Sequence, residues 1–180
     1  MWPRSWWHRI YEPQIRRAAG FGLAPTEPDP DRYDKTNRHC DVMVVGGGPA
    51  GLSAALEAGR RGARVILCDD QNEFGGGLLG AREFIDGKPA GEWVRETVRE
   101  LEGLPEVTLL PRTMAFGHYD HGFISLVERV TDHLGPTSPD ARLPRQRQWR
   151  VRAKRIVFAT GAIERPLVFC NNDRPGIMPA

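Results

Sequence analysis

The stretch Asp41-Val42-Met43-Val44-Val45-Gly46-Gly47-Gly48-Pro49-Ala50-Gly51-Leu52 decides how this chain folds. Residues 41–45 form a short apolar run, the pattern of a strand buried on both faces. Residues 49–61 have helical composition, with Leu52, Ala55, Leu56 and Gly59 along one face. Pro49 suits the first helical turn, where a missing N–H matters least. The pattern Gly46-x-Gly48-x-x-Gly51 therefore joins a strand to a helix. Gly46 permits the tight turn, Gly48 leaves room for a pyrophosphate against the backbone, and Gly51 allows the helix to pack closely on the strand. Phosphates lying against Pro49 and Ala50 would meet free N–H groups and the positive end of a helix dipole. In this context the glycine pattern predicts an α/β fold with a Rossmann-type dinucleotide-binding unit.

Working outward, such a unit needs a carboxylate at the end of its second strand, about 20 residues on, to accept hydrogen bonds from a ribose. Residues 64–69 read as that strand. Asp69 follows the run Val65-Ile66-Leu67-Cys68 and is the first choice, with Asp70 the second. Two later stretches add to the candidate site. Gly75-Gly76 follows the acidic pair closely and resembles the glycine pair of two-dinucleotide-domain flavoproteins, where backbone approaches the cofactor. Ala159-Thr160-Gly161 ends the run Arg155-Ile156-Val157-Phe158 and resembles the strand-end element of the same superfamily.

The remaining chain reads as follows. Residues 1–20 are expected to be helical, with Trp6, Trp7, Ile10 and Ile15 as an apolar stripe interrupted near Pro13. Residues 24–39, rich in proline and acid, read as a linker. This gives an N-terminal helical segment and linker over 1–39 and a dinucleotide-binding domain over 40–180. A helix is expected over 90–102 and strands over 107–110, 113–119 and 123–130, the last two paired around Asp120-His121-Gly122. Two further strands are expected over 148–152 and 155–160. The strands after residue 107 add an antiparallel β-meander to the Rossmann-type unit.

Composition narrows the function. Of 180 residues, 40% are hydrophobic and 27% charged, an ordinary globular balance. A net charge of +2 gives no reason to invoke nucleic acid or an acidic membrane surface. No apolar run approaches the roughly 20 residues of a membrane helix, and residues 1–7 lack the form of a signal peptide. Cys40, Cys68 and Cys170 have no metal-ligand spacing, so the expectation is a cytoplasmic protein with reduced thiols and no metal. His118, His121 and His133 read as turn and surface residues, and Trp2, Trp6 and Trp7 as packing residues. No nucleophile–base arrangement stands out, so no catalytic residue is assigned.

A closer resemblance rests on other motifs. Tyr11-Glu12-Pro13-Gln14-Ile15-Arg16-Arg17-Ala18-Ala19-Gly20, Pro28-Asp29-Pro30-Asp31-Arg32-Tyr33, Tyr119-Asp120-His121-Gly122, Thr160-Gly161-Ala162-Ile163-Glu164-Arg165-Pro166 and Asn172-Asp173-Arg174-Pro175-Gly176 resemble the alpha subunit of heterotetrameric sarcosine oxidases. The resemblance implies oxidative demethylation of sarcosine to glycine with formation of hydrogen peroxide, and tetrahydrofolate as the one-carbon acceptor. It implies NAD at Gly46, Gly48, Gly51 and Asp69, with FAD and the amine site on a beta subunit and FMN between alpha and beta. Gamma and delta subunits complete the implied assembly. It also implies an incomplete fold and a truncated domain, because alpha subunits are much longer. Two alternatives stay open: an FAD-binding fragment of another amine or opine dehydrogenase subunit, and a non-catalytic fragment.

Overall fold

In the computed structural model, residues 3–20, 26–134, 142–162, 168–172 and 174 are described. Trp2 and residues 163–167, 173 and 175–180, with the resemblance motifs that fall on them, lie outside the described residues. The chain divides into two units, Met1–Asp31 and Arg32–Ala180.

In the first unit, a 3₁₀ turn at Arg4–Trp6 and a π turn at Trp7–Tyr11 lead into helix α1, Glu12–Ala18. Pro13 falls in the first turn of α1, and the preceding π turn, closed by the Glu12 N–H on the Trp7 carbonyl, runs directly into it. No residue of these turns is buried.

The second unit is built on strands β1 (Tyr33–Val45), β2 (Val65–Cys68), β5 (Val107–Leu110), β6 (Thr113–Tyr119), β7 (Phe123–Arg129) and β8 (Gln146–Phe158). They form one mixed sheet in the order β5-β2-β1-β8-β7-β6. β5, β2, β1 and β8 run parallel; β8, β7 and β6 form an antiparallel meander. Helices α2 (Pro49–Arg60) and α3 (Ala90–Glu102) fall where the apolar periodicity puts them. A separate two-stranded hairpin pairs β3 (Phe84–Ile85) with β4 (Lys88–Pro89).

Two expectations are corrected. The linker ends earlier than residue 39, because β1 begins at Tyr33. The run Tyr33 to His39 is polar and carries no buried residue, so no local pattern marks it as strand. It is held by a parallel ladder to β8, from Tyr33 opposite Gln146 to Cys40 opposite Ala153. Tertiary pairing here overrides composition. Likewise β8 is one continuous strand over Gln146–Phe158 where two were expected. The ladder is interrupted at Lys154, after Ala153 opposite Cys40 and before Arg155 opposite Val42. Opposite it, the N–H groups of Asp41 and Val42 both turn to the Arg64 carbonyl, and Lys154 Nζ lies 2.8 Å from Asp41.

Side-chain alternation then divides the core. Val44, Val65 and Leu67 pack on Leu52 and Ala55 of α2 and on Val94 and Leu101 of α3. Met43, Val45, Ile66, Cys68 and Leu110 face Ile124, Leu126, Trp149, Val151 and Ala153 of the meander. The unit is thus three layers deep: helices, parallel strands and antiparallel strands. Each fully buried aliphatic side chain contributes about 1.5–3 kcal/mol.

Candidate functional site

The loop after β1 is fixed by close backbone contacts. Gly46 has φ +102°, a conformation L side chains avoid, and any Cβ on it would overlap the Ala159 carbonyl. A Cβ on Gly51 would overlap the Gly46 carbonyl, so the first turn of α2 rests on the strand end itself. Gly47 is equally constrained: a Cβ there would strike the Phe74 ring and come 3.1 Å from Asp69 Oδ2. The glycine spacing alone treats position 47 as free; the structure does not. Gly48 differs from all three, for a Cβ on it would meet nothing within 4 Å. Its missing side chain leaves open space at the N-terminus of α2. Leu52 N–H makes the first intrahelical bond, to Gly48 O at 2.9 Å, so the Ala50 and Gly51 amides have no intrahelical acceptor.

Asp69 ties this loop to its neighbours. Its Oδ2 accepts the Gly47 N–H at 2.5 Å and its Oδ1 accepts the Gln71 N–H at 2.9 Å. Its carbonyl accepts the Thr113 N–H at 2.7 Å, which brings β6 to the end of β2. A carboxylate offers about four lone-pair sites, so two stay available to a ligand hydroxyl. Asp70 is exposed; its Oδ1 accepts only the Gln71 side-chain amide, at 3.1 Å. Gly75 donates its N–H to the Gly47 carbonyl at 2.8 Å, and Gly76 lies directly behind the Gly48 backbone. Ala159 donates to the Val45 carbonyl at 2.8 Å and closes the opposite wall.

These loops enclose a cleft of about 580 Å³. Of the residues singled out from the sequence, Gly46, Gly48, Pro49, Ala50, Asp69, Asp70, Gly76, Ala159, Thr160 and Gly161 line it. Gly51 and Gly75 do not; they sit behind the wall and hold it in place. The structure adds Gln71, Gly77 and a wall made by Thr113, Met114 and Ala115 of β6. Nothing in the local sequence of β6 marks these residues, because the meander brings them over the cleft by long-range pairing. Cys68 also lines the cleft, but burial, with the nearby Asp69 charge, pushes its thiol up to about 12. It stays a protonated, inert wall residue.

The tempting histidines are placed apart from this site. His118 sits edge-on to Phe158, with ring centroids 5.6 Å apart, and His121 occupies the β6–β7 turn at φ +60°. Neither lines the cleft, and no group of metal-ligating side chains occurs among the described residues. No helix among them is long and apolar enough to cross a membrane. Glu164 and Arg165 lie outside the described residues.

Comparison with known proteins agrees with this geometry. Residues 41–105, which carry the glycine loop and Asp69, match the family of FAD-dependent oxidoreductases. All 180 residues align with the sarcosine oxidase subunit alpha of Rhizobium meliloti (strain 1021) at 53% identity. The chain is a close relative of one segment of the sarcosine oxidase alpha subunit. The same subunit of Corynebacterium sp. (strain P-1) is 51% identical over 163 residues, 89% of this chain. The chain spans 18% and 17% of the lengths of these two alpha subunits. Among solved structures, L-proline dehydrogenase from P. horikoshii superposes with a TM-score of 0.57 at 28% identity, covering 86% of this chain and 28% of that one. The Rossmann-type unit of residues 41–105 is thus similar to that of FAD-dependent oxidoreductases, and the fold with its added antiparallel layer is similar to that of L-proline dehydrogenase.

Proposed function

We propose that this chain is the dinucleotide-binding part of a sarcosine oxidase alpha-type subunit, with the cleft holding the ADP half of NAD. One observation carries the reading: the open space at Gly48, the Ala50 amide at the start of α2 and the Asp69 carboxylate face a single cleft. The residues fit the group. The pyrophosphate would lie against Gly48, Pro49 and Ala50, where the helix dipole favours negative charge. The adenosine ribose would reach Asp69, and Thr113 to Ala115 would flank the base. Asp69 and Asp70 together disfavour a 2′-phosphate by like-charge repulsion, which selects the unphosphorylated dinucleotide.

When bound, a nicotinamide or flavin ring supplies the hydride chemistry; this chain supplies position and electrostatics. In the whole assembly, sarcosine would be oxidised to an imine with two electrons passed to oxygen, giving hydrogen peroxide. Glycine and a one-carbon unit would follow by hydrolysis or transfer to tetrahydrofolate. The amine site and FAD belong to a beta subunit, FMN to the alpha–beta interface, and gamma and delta subunits to the rest of a cytoplasmic heterotetramer. FAD in this cleft is the second reading, supported by the family match over residues 41–105.

Extraction and chromatography of the cofactors from the full complex test the proposal. NAD is expected from the wild-type complex, and its selective loss is expected when Gly48→Val is introduced into the alpha subunit. Loss of FAD instead would establish the second reading. Unchanged content of both would remove the cleft from dinucleotide binding.

A further inference from the structure

The meander has a second face, turned away from the core. On β8, Trp149, Val151 and Ala153 are buried, so Gln148, Arg150 and Arg152 point outward. The register sets Gln148 beside Lys35, Arg150 beside Asn37 and Arg152 beside His39 of β1. On the other side, Ser125 of β7 lies beside Arg150 and Phe123 beside Arg152. Cross-strand neighbours share a face, so Lys35, Arg150 and Arg152 occupy one surface.

The acidic residues of these strands are elsewhere. Asp34 and Glu128 both register with Arg147, on the face of Trp149, and Glu128 also accepts the Trp149 indole N–H at 2.8 Å. Asp41, at the ladder interruption, is already held by Arg64 and Lys154. Among the described residues, none of Lys35, Arg150 and Arg152 has a carboxylate partner. The chain as a whole carries only +2, so this segregation is a local feature and not a reflection of a basic protein. Arg152 lies 5.3 Å over the Phe123 ring, and Phe123 lies 5.6 Å from Tyr119. Stacking holds the guanidinium plane, one Nη donates to the His121 carbonyl at 3.3 Å, and the remaining N–H groups can meet a carboxylate.

We propose that this outer sheet face docks a carboxylate-rich surface of a partner protein. Arginine beside aromatic side chains is the composition of buried interface anchors. Alternate residues on a strand stand about 6.5–7 Å apart. That spacing meets acidic side chains about 5–6 Å apart on one face of a partner helix. The charges steer the encounter, and the Arg152–Phe123–Tyr119 stack gives the contact its apolar centre.

The test uses the full chain and a labelled poly-L-glutamate, titrated by fluorescence anisotropy at low and high salt. The triple variant Lys35→Glu, Arg150→Glu, Arg152→Glu is expected to weaken binding by about tenfold or more. Reversing Arg4, Arg9 and Arg17 to glutamate, in the separate N-terminal unit, is expected to leave it within about twofold. Equal affinity for wild type and the first triple variant would overturn the proposal. So would an oligothymidylate of matched charge that binds the wild type more tightly than polyglutamate and depends on the same three residues. If circular dichroism shows that charge reversal unfolds the chain, Arg150→Gln with Arg152→Gln replaces it, with a loss of about threefold expected and no loss again overturning the proposal.

Discussion

The two faces of the parallel sheet are assembled from different distances along the chain. On the helix face, Val44, Leu52, Ala55, Val65, Leu67, Phe74, Val94 and Leu101 follow one another through successive β–α turns. On the other face, Met43, Val45, Ile66 and Cys68 wait for Ile124, Leu126, Trp149 and Val151, which arrive only after the meander has formed. The cleft lies where both meet. Its floor, Gly46, Gly48, Pro49, Ala50 and Asp69, belongs to the locally encoded part, and its β6 wall to the other. The proposed phosphate and ribose contacts are thus written in contiguous motifs, while the wall proposed to face the base depends on long-range pairing.

The sharpest way to break this comparison lies within the glycine loop itself. Gly51→Val should abolish cooperative folding, because its side chain would overlap the Gly46 carbonyl and neither backbone can yield. A loss on the order of 4 kcal/mol or more is expected, at the upper end for a point change. Gly48→Val, three residues earlier, should fold and melt close to wild type, since its side chain enters open space. It should nonetheless lose dinucleotide binding, as the pyrophosphate needs that space. Thermal melts with isothermal titration check both. A Gly51→Val protein that melts like wild type would contradict the loop geometry.

Next in size are matched truncations on the two faces. Leu52→Ala and Leu126→Ala each remove a fully buried leucine, one from each cluster. Each should cost about 2–5 kcal/mol in urea unfolding. One transition in both variants is expected, because Met43, Val44 and Val45 of a single strand alternate between the two cores. Two separated transitions in Leu126→Ala would show that the meander melts independently.

Within the cleft, Asp69→Ala should weaken dinucleotide binding by about 1.5–3 kcal/mol, and more than Asp70→Ala. Asp69 also accepts two backbone N–H groups, so the same change should lower stability where Asp70→Ala does not. Equal binding effects, measured by titration, would move the ribose contact to Asp70.

Much of this was legible in the sequence, and for definable reasons. Val42 to Val45, the 49–61 helix and the 90–102 helix announce themselves by their apolar pattern and, for the first helix, by a helix-starting proline. Asp69 is found by its place at a strand end. What stayed hidden depends on pairing across the chain: Tyr33 to His39 as strand, the continuity of β8 through Lys154, and the Thr113–Ala115 wall. The Gly47–Phe74 contact is hidden for another reason. It follows from the way Gly75 folds back on the glycine loop, which no spacing rule encodes.

The smallest expected effect concerns the junction between the two regions. Hydrogen bonds from Arg64 and Lys154 hold the Asp41 carboxyl well below the usual carboxylate range. In the unfolded chain an aspartate titrates near about 3.9. The folded state therefore binds fewer protons than the unfolded state in that range, and stability rises with pH there. The contribution of Asp41 should be fully present above about pH 4 and fall away as the pH drops through its folded value. Asp132 is lowered in the same direction by Gln146 and Arg145, so the loss on acidification is shared between them. Asp41→Asn should leave melting nearly unchanged in slope above the carboxylate range and flatten the acid limb below it. Melts of wild type and variant across that range give the difference directly. If the acid limbs of the two coincide, the contacts of Asp41 with Arg64 and Lys154 do not hold in solution. The ladder interruption between the parallel strands and the meander would then be kept by backbone bonds to the Arg64 carbonyl alone.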